Sequence, residues 1–220
     1  MSVITISREL GSEGSYIAER VAQTLGYHFA NKQTIEDVLT QYGFVEFDRE
    51  YDTALSFWAR FDARTLDMIT MLNRVIQAMA RHGNVVILGR GGFAILSGFA
   101  DVLNVLVQAP LSVRRARVMA EQQITETDRA EAIIKEADHV RTTFIGSYYG
   151  AHWNVASAFN LVIDTGKVPP DLAVTWLADT AKAMQAQPAG EARLTRTLEV
   201  DPILASVVSN VLRCQVVHQP

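Results

Sequence analysis

Four short, largely apolar runs, Val3–Ile6, Val85–Leu88, Val102–Val107 and Leu161–Ile163, constrain the fold of this chain more than any other feature. Each is rich in β-branched residues and is followed by a loop or a helical pattern. Runs of this kind read as strands buried on both faces, the signature of a parallel sheet covered by helices. The expectation is an α/β fold.

Helices fill the intervals. Trp58, Phe61, Thr65, Ile69, Leu72, Ile76 and Met79 recur three or four apart and form one apolar helix face, which His82-Gly83-Asn84 ends. After Ala109-Pro110 a helical stretch is expected to about Arg141, and Ile145–Ser157, with its glycines and aromatics, reads as a loop or flap. Pro169-Pro170-Asp171 opens a further helix through Met184, where a missing proline N–H costs nothing. Gln185–Gly190 reads as a linker. The tail beyond carries an apolar helical pattern at Ile203, Val207, Val208, Val211 and Leu212, which can dock on the domain or pair with a second copy as a homodimer.

At 220 residues the chain can bury a full core, as one large domain with a small appendage. A net charge of −4 argues against a nucleic acid polymer as the main partner, since phosphate backbones are bound by basic surfaces. No apolar stretch reaches the roughly 20 residues of a membrane span. The start of the sequence shows no leader pattern, and the single cysteine, Cys214, allows no internal disulfide. A cytoplasmic protein is expected.

The chemistry-bearing segment follows the first strand: Ser7-Arg8-Glu9-Leu10-Gly11-Ser12-Glu13-Gly14-Ser15-Tyr16, leading into a helical pattern from Ile17 to Leu25. Strand, glycine-bearing turn and helix in that order can bind phosphate, because backbone N–H groups and the positive helix end converge on one anion. In the P-loop spacing G-x-x-x-x-G-K-[ST], lysine reaches the β and γ phosphates and the hydroxyl holds Mg²⁺. Laid on this chain, the template puts Arg8 at the first glycine, Glu13 at the second, Gly14 at the lysine and Ser15 at the hydroxyl. On these residues alone the segment is either a phosphate cradle or a structural turn.

Other candidates follow the later strands. Arg90, in Gly89-Arg90-Gly91-Gly92, stands where open parallel sheets bind ligands, beyond a strand's carboxyl end. Arg114 and Arg117 share the opening face of a helix, where the dipole disfavours cations unless an anion is bound; Arg115 between them reads as solvated. Asp138 and Arg141, three apart, form either an ion pair or a ribose-and-phosphate contact. Asp164 follows a strand. Trp153 and Tyr148-Tyr149 can cover a base or simply pack. His28, His139, His152 and His218 show no metal-ligand spacing.

Together these segments resemble the cytidylate kinase-like family, a branch of the P-loop nucleoside monophosphate kinases. The matching residues are Ile4-Thr5-Ile6-Ser7-Arg8-Glu9-Leu10-Gly11-Ser12-Glu13-Gly14, Ile17-Ala18, Leu25-Gly26, Ile87-Leu88-Gly89-Arg90-Gly91 and Ala109-Pro110. They continue through Arg114, Arg117, Asp138, Arg141, Trp153 and Leu161-Val162-Ile163-Asp164-Thr165. The resemblance implies a P-loop kinase-like domain over residues 1–185, with a helical monophosphate-binding insert at about 31–82 and a lid at about 111–157. Residues 186–220 are a linker and helical tail outside it.

It also implies transfer of the γ-phosphoryl group of ATP, with Mg²⁺, to CMP, dCMP or a related small phosphorylated acceptor. Gly11, Ser12, Glu13, Gly14 and Ser15 would cradle the donor phosphates, with Ser15 on Mg²⁺. Arg114 and Arg117 would serve the transferring group, Arg90 the acceptor phosphate, and Asp138 and Arg141 the rest of the acceptor site. Two departures stand out. The branch commonly has a glycine pair and a basic residue where this chain has Glu13-Gly14-Ser15-Tyr16, and an aspartate where it has Ala30-Asn31-Lys32. Arg8 or Lys32 is then the source of the missing charge, with Arg8 favoured because it lies in the loop. A nucleotide- or phosphate-sensing protein of the same fold is the alternative.

Overall fold

Five strands form one parallel sheet in the order β2-β3-β1-β4-β5. They are β1 (Val3–Arg8), β2 (His28–Ala30), β3 (Val85–Leu88), β4 (Val102–Gln108) and β5 (Leu161–Asp164). The computed structural model describes residues 2–43, 63–186 and 191–216. Trp58, Phe61, His218 and most of the expected linker lie outside the described residues. β1 is central: Ile6 registers with Leu88 on one side and Val105 on the other. Its end at Arg8, opposite Val107, therefore opens at the middle of the sheet's carboxyl edge.

The apolar runs are buried on both faces, as their composition predicts. Ile4, Ile6, Val86, Leu88, Val105 and Val107 face α1 (Gly14–Leu25), while Val3, Val85, Ile87 and Leu106 face the opposite helices. Ile17, Ala18, Val21 and Ala22 form the buried stripe of α1, and Gly26 closes that helix at φ 64°. Across the second face lie α2 (Lys32–Gln41) and α3 (Ala63–His82), the latter burying Ile69, Leu72, Val75, Ile76 and Met79. A short α4 (Gly92–Ile95) follows β3.

Two expectations about the middle of the chain are corrected. The helical stretch after Pro110 is two helices, α5 (Leu111–Glu121) and α6 (Thr127–Tyr149), broken where Gln123 takes a φ of 55°. The expected loop from Ile145 is helical as far as Tyr149, because Phe144 and Ile145 are buried and Phe144 packs on Tyr148 and Tyr149. The helix stops at Gly150, φ 59°. α7 (Pro170–Ala186) starts at the expected proline.

The tail helix α8 (Pro202–Val216) docks on its own domain, against α2, α3 and β2. Leu204, Val208, Val211 and Leu212 join the larger core cluster and Val207 packs against it, while Ile203 of the predicted pattern is exposed. Among the described residues no helix is long and apolar enough to cross a membrane.

At this junction His28 of β2 lies edge-on to His82 of α3, ring centroids 5.1 Å apart, and its Nδ1 is buried with no hydrogen-bond partner. Burial, then the nearby His82, pushes the His28 pKa below its ordinary value, against the pull of the Leu212 backbone. A histidine whose folded pKa is depressed binds fewer protons folded than unfolded, so stability must decline as pH falls below about 6.5. Urea midpoints measured from pH 8 to 5 should fall over that window. His28→Gln should flatten the decline; an unchanged slope would remove His28 as its cause.

Candidate active site

Three chain reversals meet at the carboxyl edge of the sheet. The first joins β1 to α1. Glu13 sits at its helix end in the left-handed region, φ 62°, with no side-chain cap. Gly11 is also left-handed, φ 77°, and is pressed against α5: a Cβ there would meet the Arg114 carbonyl oxygen at 2.7 Å. Ser12 turns inward, its Oγ donating to Glu9 O at 2.8 Å. Among the described residues the N–H groups of Gly11, Glu13, Gly14, Ser15 and Tyr16 have no backbone acceptor. Five unpaired amides at a helix start fit the phosphates of a nucleotide.

The second reversal follows β3. Gly89, Arg90 and Gly91 all take positive φ, 74°, 56° and 74°. For a non-glycine residue this conformation is strained, and such strain gathers at functional sites. Gly91 admits the Tyr149 ring, whose Cε2 would lie 2.5 Å from a Cβ, and Tyr149 Oη donates to Asn73 Oδ1 at 2.8 Å. The third reversal follows β5, where the Thr165 hydroxyl donates to Ser12 O at 2.8 Å.

An arginine pair braces the first turn. Arg114 is 5 % exposed and donates from Nε to Leu10 O at 2.8 Å and from Nη2 to Asp138 Oδ2 at 2.6 Å. Its Nη1 lies 3.2 Å from Glu9 Oε1, while Glu9 Oε2 accepts the Ala109 amide at 2.9 Å. Burial holds the Glu9 carboxyl above the usual range, against the opposing pull of the Ala109 amide and Arg114. Arg117 donates to Gly11 O (3.2 Å), Thr165 Oγ1 (3.0 Å) and Thr165 O (2.9 Å), and lies 3.7 Å from Glu13 Oε1. The acid within the turn thus has a cationic neighbour.

A cavity of about 1270 Å³ opens beside this turn. Arg8, Arg90 and Arg141 line it together with Ser7 and Ser15, and Asn31, Glu36, Met68, Phe93, Phe144 and Trp153 form much of its outer wall. Burial lowers the pKa of all three arginines. Arg8 is depressed to about 10 by burial and then by its cationic neighbours Arg141 and Arg90, which leaves it charged at neutral pH. Arg141 has Asp138 at 3.3 Å, but Arg8 and Arg90 form no ion pair among the described residues. Trp153 lies under the Arg141 guanidinium, 5.9 Å from its ring centroid, and donates Nε1–H to Thr142 Oγ1.

The residues singled out in the sequence therefore divide. Arg8, Arg90, Arg141 and Ser15 face one cavity. Gly11 to Gly14 form the turn behind it. Arg114 and Arg117 do not line the cavity, and Asp138 is shared between Arg114 and Arg141. Tyr149, read as covering a base or packing, packs against Gly91, while Glu9 and Thr165 carry no candidate role in the sequence. Both stand among the residues that carry the family resemblance, Glu9 as an acid in the phosphate-binding turn and Thr165 just after a strand, but neither pattern assigns them a partner. Asn31, where an aspartate was expected, caps α2 by accepting the Thr34 amide at 3.1 Å.

The family model described as the cytidylate kinase-like family matches residues 3–167, three quarters of the chain and every reversal described above. The chain belongs to the cytidylate kinase-like family. A cytidylate kinase of Ignicoccus hospitalis is 26% identical over 174 residues, covering 79% of this chain and 95% of that protein. The crystal structure of an uncharacterized protein from Eubacterium ventriosum superposes with a TM-score of 0.64 at 20% identity, covering 85% of this chain and all of the other. The family match ends at Lys167, so α7 and the docked tail lie beyond it.

Removing Arg114 would leave Glu9 and Asp138 facing each other without their shared cation. Breaking a buried pair from one side commonly costs about 3 kcal/mol or more. Arg114→Ala should lower the folding free energy by that order in urea titrations. A loss under about 1 kcal/mol would show that the brace is not a principal support of the turn.

Proposed function

We propose that this chain is an ATP-dependent phosphotransferase that moves the γ-phosphoryl group to a nucleoside monophosphate, CMP or dCMP by likeness to the relative from Ignicoccus hospitalis. One observation carries the reading: three half-buried arginines, two without an ion-pair partner among the described residues, face a cavity beside a helix start with five open amides. Burying such charge is costly unless an anion completes it. Two phosphorylated substrates meeting there would do so.

In this reading the Gly11–Ser15 turn holds the donor phosphates, and the exposed Ser15 hydroxyl is the protein's contact to Mg²⁺, which otherwise binds through substrate phosphates and water. Mg²⁺ would supply charge neutralisation across the donor phosphates. Arg90 and Arg141 hold the acceptor phosphate, while residues 31–82 form the acceptor-binding insert and residues 111–157 the lid. Asp138 orients Arg141 rather than contacting ribose. Phosphoryl transfer asks little covalent chemistry of the protein, so positioned cations carry the acceleration. The unbridged, exposed Cys214 suits a reducing, cytoplasmic setting.

The departure at Gly14 favours one competing reading, a sensor that binds nucleotide without transferring phosphate. Steady-state turnover with ATP–Mg²⁺ against a panel of monophosphates separates the two. The expected result is turnover with highest kcat/KM for a pyrimidine monophosphate. Arg90→Ala should raise the acceptor KM on the order of tenfold or more, with the ATP KM little changed. Binding without turnover across the whole panel would establish the sensor instead.

A further inference from the structure

A P-loop needs a cation where this chain has Gly14. The backbone does not require glycine there, since Gly14 is absent from the positive-φ residues. Space does. A Cβ on Gly14 would collide with Arg8 Cβ and stand 3.0 Å from Arg8 Cγ and 3.2 Å from Val107 Cβ. The aliphatic stem of Arg8 occupies the volume in which any side chain at Gly14 would begin.

The other end of Arg8 meets a second glycine. A Cβ on Gly89 would lie 2.5 Å from Arg8 Nη1. Arg8 thus reaches from the first turn across to the Gly89–Gly91 reversal, and a side chain at either end would displace it. Its charge has no carboxylate partner among the described residues, and the charged groups acting on it are two further cations. The contrast with Arg114 and Arg117 is direct. Those two arginines, which brace the fold, have several protein acceptors each.

We propose that Arg8 and Gly14 are a reciprocal exchange: the phosphate-binding cation that a P-loop carries on its helix is delivered here from the strand end, and Gly14 is small to let it pass. This assignment rests on the phosphotransferase reading and names a catalytic residue within it. Arg8 neither gives nor takes a proton. It holds non-bridging oxygens of the phosphoryl group while the bond to the ADP oxygen breaks and the bond to the acceptor phosphate oxygen forms.

The test is a four-protein cycle: wild type, Arg8→Gly, Gly14→Lys and the double variant R8G/G14K. Turnover with ATP–Mg²⁺ and ATP affinity by calorimetry are read for each, with Tm as a check on folding. Arg8→Gly should lose on the order of 10²–10³ in kcat, as when other electrostatic stabilisers are removed. Gly14→Lys alone should lower Tm, because the lysine stem runs into Arg8. The double variant should regain at least about tenfold in kcat over Arg8→Gly, since it returns the cation to the lysine position of a P-loop and glycine to the first position, with Glu13 kept at the second.

Near-wild-type turnover in Arg8→Gly would overturn the proposal, as would a folded double variant no better than Arg8→Gly. If the double variant does not fold, Arg8→Lys and Arg8→Gln decide: retained activity in the first and loss in the second support the exchange, and equal losses refute it. If wild type turns over no acceptor, the phosphotransferase reading fails by itself. The exchange is then judged on ATP affinity, which Arg8→Gly should weaken about tenfold and R8G/G14K restore.

Discussion

The phosphate turn and the Arg141 wall of this cleft are held together by one guanidinium. Arg114 ties Leu10 of the phosphate turn, Glu9 at the end of the central strand and Asp138 of α6 into a single buried cluster. Asp138 in turn holds Arg141 at the cavity wall. A helix that would otherwise meet the sheet through side-chain packing alone is thereby fixed in register with the turn. Because Arg114 is satisfied by the protein, the unpaired charge remains where a ligand can reach it.

This division of labour also explains how a chain with net charge −4 presents a cationic cavity. Most carboxylates near the turn are placed against the bracing arginines, while of the cavity arginines only Arg141 has one within ion-pair distance, Asp138 at 3.3 Å. Glu9 and Asp138 flank Arg114, Glu13 neighbours Arg117, and Glu131 takes Arg115 at 2.6 Å. Net charge describes long-range steering and solubility; the field within a cleft is set by which charges are paired. Within this site Arg8, Arg90 and Arg141 share the wall with Glu19, Glu36 and Asp37, and Arg8 and Arg90 form no ion pair among the described residues.

Much of the fold was legible in the sequence because parallel strands advertise themselves as short β-branched runs. Four of the five strands were read this way. His28–Ala30 was not, being only three residues long and without the apolar signature. The break at Gln123 was hidden because neither glycine nor proline marks it, and the helical reach of α6 to Tyr149 was hidden because its glycine and aromatics imitate a loop. The site was legible as a set of positions but not as a set of directions. Arg114 and Arg90 look alike in a sequence, each an arginine in the segment that follows a strand. Only the packing of α5 against the turn aims one at Glu9 and leaves the other facing the cavity.

The tail shows the same limit from the other side. Its apolar period predicted a docking face without saying on what, and the answer is the face of α2 and α3. Those helices carry Asn31, Lys32, Glu36, Met68 and Leu72 of the cavity wall. A segment beyond the family match therefore supports the wall opposite the phosphate turn. Movement of that wall toward the turn must either carry α8 with it or open the contact that buries Leu204, Val208 and Leu212. Opening would expose apolar surface at about 25 cal/mol per Å², so the physically cheaper motion is the joint one, with α2, α3 and α8 moving as a unit.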